Sequence, residues 1–262
     1  MNIKYLFIPV VIAIILISGC SSSLAPTQTP TPLPTNTPTD IPTSTPIPTQ
    51  IPTPTNTPIP VTYIVNLGVS IDDYDPETGK AGDIVFTKRD KKPFYEMGAG
   101  VLTDQNGNSK DNIAFEYHVD PVSEVFASAD GIVVYFEYQE KTDDYEIGIE
   151  EPNKSFTIFY DHVTNPTISG EGDIVYAGDI LGNPGNWSSS MGRFELQVNT
   201  YPPGGGSSTK NCPFLFFHPD LIEEYTSKIE KLMQDWETFK NSDSLYDEEA
   251  HIYPGCISNH GD

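Results

Sequence analysis

The sequence predicts an all-β domain, an antiparallel sandwich or barrel, closed on one side by a single C-terminal packing helix. Three observations carry this. Short runs of β-branched and aromatic residues recur between residues 61 and 199, and turn residues punctuate them at short intervals. One long segment near the end then switches to apolar residues spaced three and four apart.

In chain order the strand candidates are residues 61–69, 84–86 behind a Gly82-Asp83 turn, 113–117, 125–127, 131–138, 145–149, 155–160, 174–176 and 194–199. The helix is marked by Leu221, Ile222, Tyr225, Ile229, Leu232, Met233, Trp236 and Phe239, with Asp220, Glu224, Lys228 and Lys231 between them. Pro219-Asp220 is a plausible start signal. The polar side of this helix mixes both charges, so it reads as a packing helix rather than one that lies on a membrane.

Ahead of the domain lie two segments of other kinds. Lys4 precedes an apolar run from Tyr5 to Ile17 that only Pro9 interrupts. A spanning helix needs about 20 apolar residues, whereas a short apolar core behind a positive N-terminus marks a cleaved export signal. The run ends in Ile17-Ser18-Gly19-Cys20, followed by three serines, which resembles the bacterial lipobox. That resemblance implies a signal peptide over residues 1–19 and a lipid-modified Cys20, as against an uncleaved anchor with an incidental cysteine. The expected location is the extracytoplasmic face of a cell membrane, held there by the lipid. From Ala25 to Pro60 the chain has twelve prolines and twelve threonines and one charge, Asp40. Nothing in residues 20–60 can build a core. Dense proline favours the extended polyproline helix, so this linker could hold residues 61–262 up to roughly 110 Å from the lipid at about 3.1 Å per residue.

The net charge of −23 belongs to residues 61–262, which carry 36 acids against 13 bases. A field of that sign repels nucleic acid and anionic lipid, so neither is an expected partner. Beyond Cys20 the cysteines are Cys212 and Cys256. In an exported chain two such residues most simply form a disulfide; paired metal ligation would lack a nearby Cys-x-x-Cys or histidine. Asp72-Asp73-Tyr74-Asp75-Pro76-Glu77 offers oxygen donors at alternate positions, as calcium could use, but without the glycine and final glutamate of an EF-hand loop. A solvated acidic turn is the simpler reading.

Three stretches together carry a resemblance. They are Asp120-Pro-Val-Ser-Glu-Val-Phe-Ala-Ser-Ala-Asp-Gly-Ile-Val-Val-Tyr135, then Phe156-Thr-Ile-Phe-Tyr-Asp-His-Val163 with Gly172-Asp-Ile-Val-Tyr-Ala-Gly-Asp-Ile-Leu-Gly182, then Gly192-Arg-Phe-Glu-Leu-Gln-Val198. In order and spacing they resemble the β core of the lysostaphin/LytM-type zinc endopeptidases, which cut peptide cross-bridges in cell walls. The resemblance covers about residues 100–200, and its glycine turns speak for the scaffold rather than for catalysis. In that family zinc is held by His-x-x-x-Asp and by the second histidine of His-x-His, with two more histidines as acid–base groups. Counting back from Val125 places the first pair at Asn112 and Glu116, while the His-x-His positions fall on Arg193 and Glu195. His162 alone keeps a family catalytic residue.

A catalytic zinc needs three nitrogen or carboxylate ligands and an open place for water. Asn112 is a weak neutral donor, Glu116 adds a methylene, and Arg193 puts a permanent cation where a base should stand. The expectation is an ion-pair network of Arg193 with Glu116 or Glu195 in the space of the metal, and hence no zinc or other cofactor. His118 and Asp120 do not match the ligand spacing and are expected in an exposed turn. The resemblance then implies a non-catalytic module that binds peptidoglycan peptides or regulates another wall hydrolase. The alternative is a metallo-endopeptidase with a rearranged site around His162.

If Cys20 is the acyl acceptor, Cys20→Ser should abolish incorporation of a fatty-acid probe and leave the chain unprocessed or released. Unchanged labelling would remove the lipid anchor from consideration.

Overall fold

The computed structural model describes residues 61–99, 102–103, 109–258 and 260–261. The signal peptide, Cys20 and the Pro/Thr-rich linker lie outside the described residues, all of which fall within one unit, Asn56–Asp262. The elements that position the site are β1 (Phe94–Tyr95), β2 (Phe115–Val119), β3 (Gly131–Gln139), β4 (Asp144–Glu150), β5 (Thr157–Thr164), β6 (Ile180–Ser188), β7 (Met191–Thr200), β8 (Thr209–Asn211) and α1 (Ile222–Lys240). They form an antiparallel sheet with a single α-helix, as the residue pattern predicts.

Strand β7 is central. It pairs with β2 along Leu196↔Phe115 to Gly192↔Val119, with β5 along Thr157↔Asn199 to Asp161↔Glu195, and with β8 at its end. Beyond β5 the sheet continues through β4 to β3, while β6 pairs with the start of β7 and the end of β5. Side chains alternate across such a sheet. Phe115, Tyr117 and Val119 therefore join Phe194, Leu196, Val198, Ile158, Tyr160, Ile147 and Ile149 on one face, and all of them are buried in the core. Each buried large side chain contributes about 1.5–3 kcal/mol by leaving water. The backbone N–H of Ser128 donates to Tyr160 Oη at 2.7 Å, so the buried phenol has a partner.

Helix α1 covers this core with Ile229, Leu232, Met233 and Trp236, and Phe86 meets the Trp236 ring edge-on at 5.1 Å. It starts two residues after Pro219-Asp220, with Leu221 at the N-cap and no side-chain cap. It ends at Asn241 in the left-handed conformation, whose N–H satisfies carbonyls of the last turn. Among the described residues no helix is long and apolar enough to cross a membrane.

Two strand expectations change. Residues 61–69 form one bridge, Ile64 with Phe217, rather than a strand. Ile64, Leu67 and Val69 are buried, but Gly68 takes φ +81° beneath the Phe194 ring and the Gly68 N–H donates to the Asn66 side-chain oxygen, which breaks the extended path. Conversely, β6 was hidden by its turn-like Gly182-Asn183-Pro184-Gly185. These glycines serve close packing instead: a Cβ on Gly182 would meet the Thr164 carbonyl oxygen at 2.5 Å. His118 is a further correction. It is not in an exposed turn but buried in β2, at 2% exposure, because β2 is covered on both faces; the turn begins at Asp120. In the acidic stretch from Asp72, Tyr74–Asp75 pairs with Lys80–Ala81 as a short hairpin, and the Asp75 carboxylate accepts from the Glu77 N–H and the Thr78 hydroxyl in its turn.

Cys212 and Cys256 are joined by a disulfide across 44 residues, both fully buried. It returns the segment after α1 to the sheet, where the Tyr246 hydroxyl also donates to the Phe94 carbonyl at 2.9 Å. The chain-entropy relation assigns about 4 kcal/mol to closing such a loop. Cys212→Ser with Cys256→Ser should therefore lower the unfolding free energy of the 61–262 fragment by several kcal/mol. Denaturant titration measures this, and two free thiols in freshly prepared protein would contradict the pairing.

Candidate functional site

The core takes one face of the sheet, so the residues between the core positions share the other. These are Glu116 and His118 on β2, Arg193 and Glu195 on β7, Asp161 on β5, Glu146 on β4 and Glu137 on β3. The register sets them against one another. Tyr95 lies opposite Glu116, Glu116 opposite Glu195, Glu195 opposite Asp161, and Glu146 opposite Glu137.

His162 joins this face through an irregularity. Tyr145 pairs with Val163 but Ile147 pairs with Tyr160, so Asp161 and His162 together oppose Glu146 as a β-bulge. His162 takes φ +62°, a left-handed conformation that costs on the order of 1 kcal/mol or more for a residue with a Cβ. Its position is over-determined. Its N–H donates to Asp161 Oδ1 at 2.8 Å, and Nδ1 lies 2.7 Å from Asp144 Oδ2. Gly185 lets β6 close over the pair, since a Cβ there would come within 2.9 Å of His162 Cβ and 2.8 Å of Asp144 Oδ2.

Arg193 pairs through Nη2 with Glu195, and its Nε lies 3.1 Å from Glu116 Oε1, an ion pair without hydrogen-bond alignment. The guanidinium also sits 5.4 Å from the Trp187 ring. His162 Nε2 is 3.7 Å from Glu195 Oε1 and 3.8 Å from Asp161 Oδ2. Burial works against a charge on His162, but Glu195, Asp161 and Asp144 outweigh it and Arg193, raising the imidazole to about 9. Burial pushes the Glu195 carboxyl up, and His162 with Arg193 overcomes this and holds it below the usual range. Glu146 has only His162 against the rise, as the smallest of the influences on it. Burial, then Asp161, Glu137 and Glu195, push it up to about 7.

The structure thus brings Glu116, His162, Arg193 and Glu195 together. Asn112 is buried; its Nδ2 donates to the Tyr95 carbonyl at 3.3 Å and its Oδ1 accepts from the Ala114 N–H at 3.3 Å. That side chain holds the loop, and among the other three positions Arg193 engages both carboxylates. Asp144, Asp161 and His162 each offer an atom within 4.8 Å of the others, a group that could hold a metal ion. A metal on Nδ1 would have to displace the hydrogen bond to Asp144.

Asp144, Glu146, Glu137 and Trp187 were missed in the sequence. Asp161, next to His162, could have been found; Asp144 is eighteen residues away and reaches the ring only through the hairpin register.

No protein-family model matches this chain, and no curated protein matches it. Solved structures do resemble it in part. Lysostaphin in solution is 18% identical over 45% of this chain and 49% of its own, with TM-score 0.33. The lysostaphin catalytic domain from Staphylococcus simulans is 20% identical over 46% of this chain and 89% of its own, with TM-score 0.37. A zinc-containing peptidase from Vibrio cholerae is 14% identical over 42% of this chain and 36% of its own, with TM-score 0.32. The chain spans about half the length of full lysostaphin.

The raised carboxyl has a stability consequence. Glu146 binds its proton more tightly folded than unfolded, so stability falls as pH rises from 4.5 through about 7. Glu146→Gln should remove that fall, stabilising the domain at pH 8 by on the order of 1 kcal/mol, discounted for screening at a half-buried site, with little change at pH 4. Thermal melts at both pH values check this. His162 adds a loss of the same sign at higher pH: its contribution is complete below 6.5 and disappears as pH rises through about 9.

Proposed function

We propose that the chain is an extracytoplasmic, lipid-anchored module whose β domain holds cell-wall peptides in a peptidase-like groove without cutting them. The observation that carries this reading is Arg193, ion-paired with both Glu116 and Glu195. A hydrolytic metal site needs donors free to bind the ion and a water beside a base. Both carboxylates are engaged by a cation, and Arg193 cannot take a proton at any ordinary pH. The remaining candidate base, His162, is held protonated up to about 9, so at neutral pH it cannot accept a proton from water. The anchor at Cys20 and the Pro/Thr-rich linker fit a task at a distance from the membrane, on wall peptides or on another wall hydrolase.

A second reading has its own support. Asp144, Asp161 and His162 are close enough to share a metal ion, which favours a hydrolase with a site rearranged around His162.

Elemental analysis after purification without chelators, with a peptidoglycan cross-bridge cleavage assay in added zinc, separates the two. The expected result is less than a tenth of an equivalent of metal and no turnover. Arg193→His alone should leave both unchanged, because Asn112 and Glu195 are still unsuited. One equivalent of tightly held metal, with turnover lost in His162→Ala, would establish the second reading instead.

A further inference from the structure

Trp187 stands where the hairpin of β6 and β7 breaks its register. Asn186 pairs with Gly192 and Ser188 with Met191, so Trp187 is the extra residue of a β-bulge. Bulges of this kind re-aim one side chain and concentrate beside functional sites. The re-aimed indole is 51% exposed, although a large aromatic ring gains free energy by leaving water. It is also held from behind. His118 stacks on it at 5.1 Å and 28°, and Tyr95 meets the imidazole edge-on at 5.5 Å. His118 is 2% exposed and neither ring nitrogen has a hydrogen bond, a costly way to bury an imidazole. The return is an exposed indole in a fixed attitude, and such exceptions are expected at functional sites.

The indole is a wall shared by two clefts, of about 500 Å³ and about 300 Å³. Each is of a size that takes a small molecule. The larger carries Arg89, Asp90, Ser188 and Ser190, and the smaller Lys141, Thr142, Asn186 and Arg193. Besides the indole their one large apolar side chain is Met191, itself buried, so neither cleft offers an apolar pocket. Their charge runs against that of the domain. Lys88, Arg89, Lys141 and Arg193 line them against Asp90 and Asp144, whereas residues 61–262 carry 36 acids and 13 bases. Where carboxylates are in such excess, unpaired cations are the exception. Among the described lysine and arginine side chains, Arg89, Lys91 and Lys141 have no hydrogen bond or ion pair, and two of these stand one in each cleft.

We propose that the two clefts together bind an acidic oligosaccharide, with one pyranose ring laid on the Trp187 indole and carboxylates on either side met by Arg89 and Lys141. A pyranose has a face of C–H bonds that suits the negative face of an aromatic ring, and a rim of hydroxyls that bonds in its plane. Ser188, Ser190, Thr142 and Asn186 supply short polar groups for that rim. Bonds from arginine and lysine to carboxylate are charge-assisted, shorter and stronger than neutral ones. The net charge of −23 opposes an anion at long range, but physiological salt screens that field beyond about 8 Å. Direct contacts at Arg89 and Lys141 lie inside that distance. An acidic peptide would meet the same cations but leave the indole without a flat partner. The larger cleft is lined by none of Glu116, His162, Arg193 and Glu195, so saccharide binding does not depend on the peptide reading.

The test is calorimetric titration of the full chain in neutral detergent, at physiological salt, with a hyaluronan hexasaccharide and with its carboxyl-reduced form. Saturable binding of the first, roughly tenfold tighter than the second or more, is expected. Binding should also quench tryptophan emission, and the quench reports Trp187 because the other tryptophan, Trp236, is fully buried. Trp187→Ala and, separately, Arg89→Gln with Lys141→Gln should each weaken binding by roughly tenfold or more. The double variant changes two exposed, unpaired side chains, so an unchanged melting temperature excludes misfolding as the cause. No saturable binding of the hexasaccharide, equal binding of the reduced form, or unchanged binding in either variant would overturn the proposal. So would a triglutamate amide bound as tightly as the saccharide, which would assign the clefts to an acidic peptide. Sugar-free wall peptides test the groove reading separately: their failure to bind while the hexasaccharide binds would overturn that reading alone.

Discussion

The register of β7 between β2 and β5 is the constraint on which the rest depends. With Phe194, Leu196 and Val198 in the core, Arg193 and Glu195 must point the other way, and the pairing sets Glu195 between Glu116 and Asp161. A slip of one residue would put a guanidinium and a carboxylate into the apolar face and three large apolar side chains into water. Hydrophobic burial thus chooses the charged face indirectly. No attraction among the charges needs to be strong for Arg193 to stand between two carboxylates.

Only part of that face is electrostatically balanced. Arg193 and His162 sit where the carboxylates are most buried, so pairing there offsets desolvation. Farther along, Glu146 is left to share a face with Glu137 and Asp161, and its proton affinity rises accordingly. The disulfide, the Tyr246 hydrogen bond and the packing of α1 supply stability on the opposite side and around the edge. A domain so secured tolerates a strained polar face, which is the usual relation between scaffold and site.

The bulge at Asp161–His162 is where backbone strain and charge meet. In an unbroken strand, adjacent residues would point to opposite faces, and one of these two would enter the core. The left-handed turn at His162 brings both to the polar face, and Asp144 and the bare Cα of Gly185 hold the ring in place. Between these carboxylates the imidazole's proton affinity is raised to about 9, against the cost of its burial.

The sequence by itself determined the class of fold, the C-terminal helix with its buried stripe, and the Cys212–Cys256 partners, because alternation, helical spacing and cysteine count are local or counted properties. It also brought Glu116, His162, Arg193 and Glu195 to one site, through residues matched by order along the chain. It named Asn112 as well, whose side chain bonds the Tyr95 carbonyl and the Ala114 N–H. It misjudged residues 61–69, whose apolar pattern reports burial and not pairing, and it missed β6, whose glycines and proline look like a turn until close packing explains them. Only the tertiary structure decided that Asp144 holds His162, that His118 is buried under Trp187, and that Glu137 and Glu146 extend the carboxylate row. Each of these depends on register and on a bulge, and a shift of one residue, invisible in composition or spacing, decides which face a side chain takes.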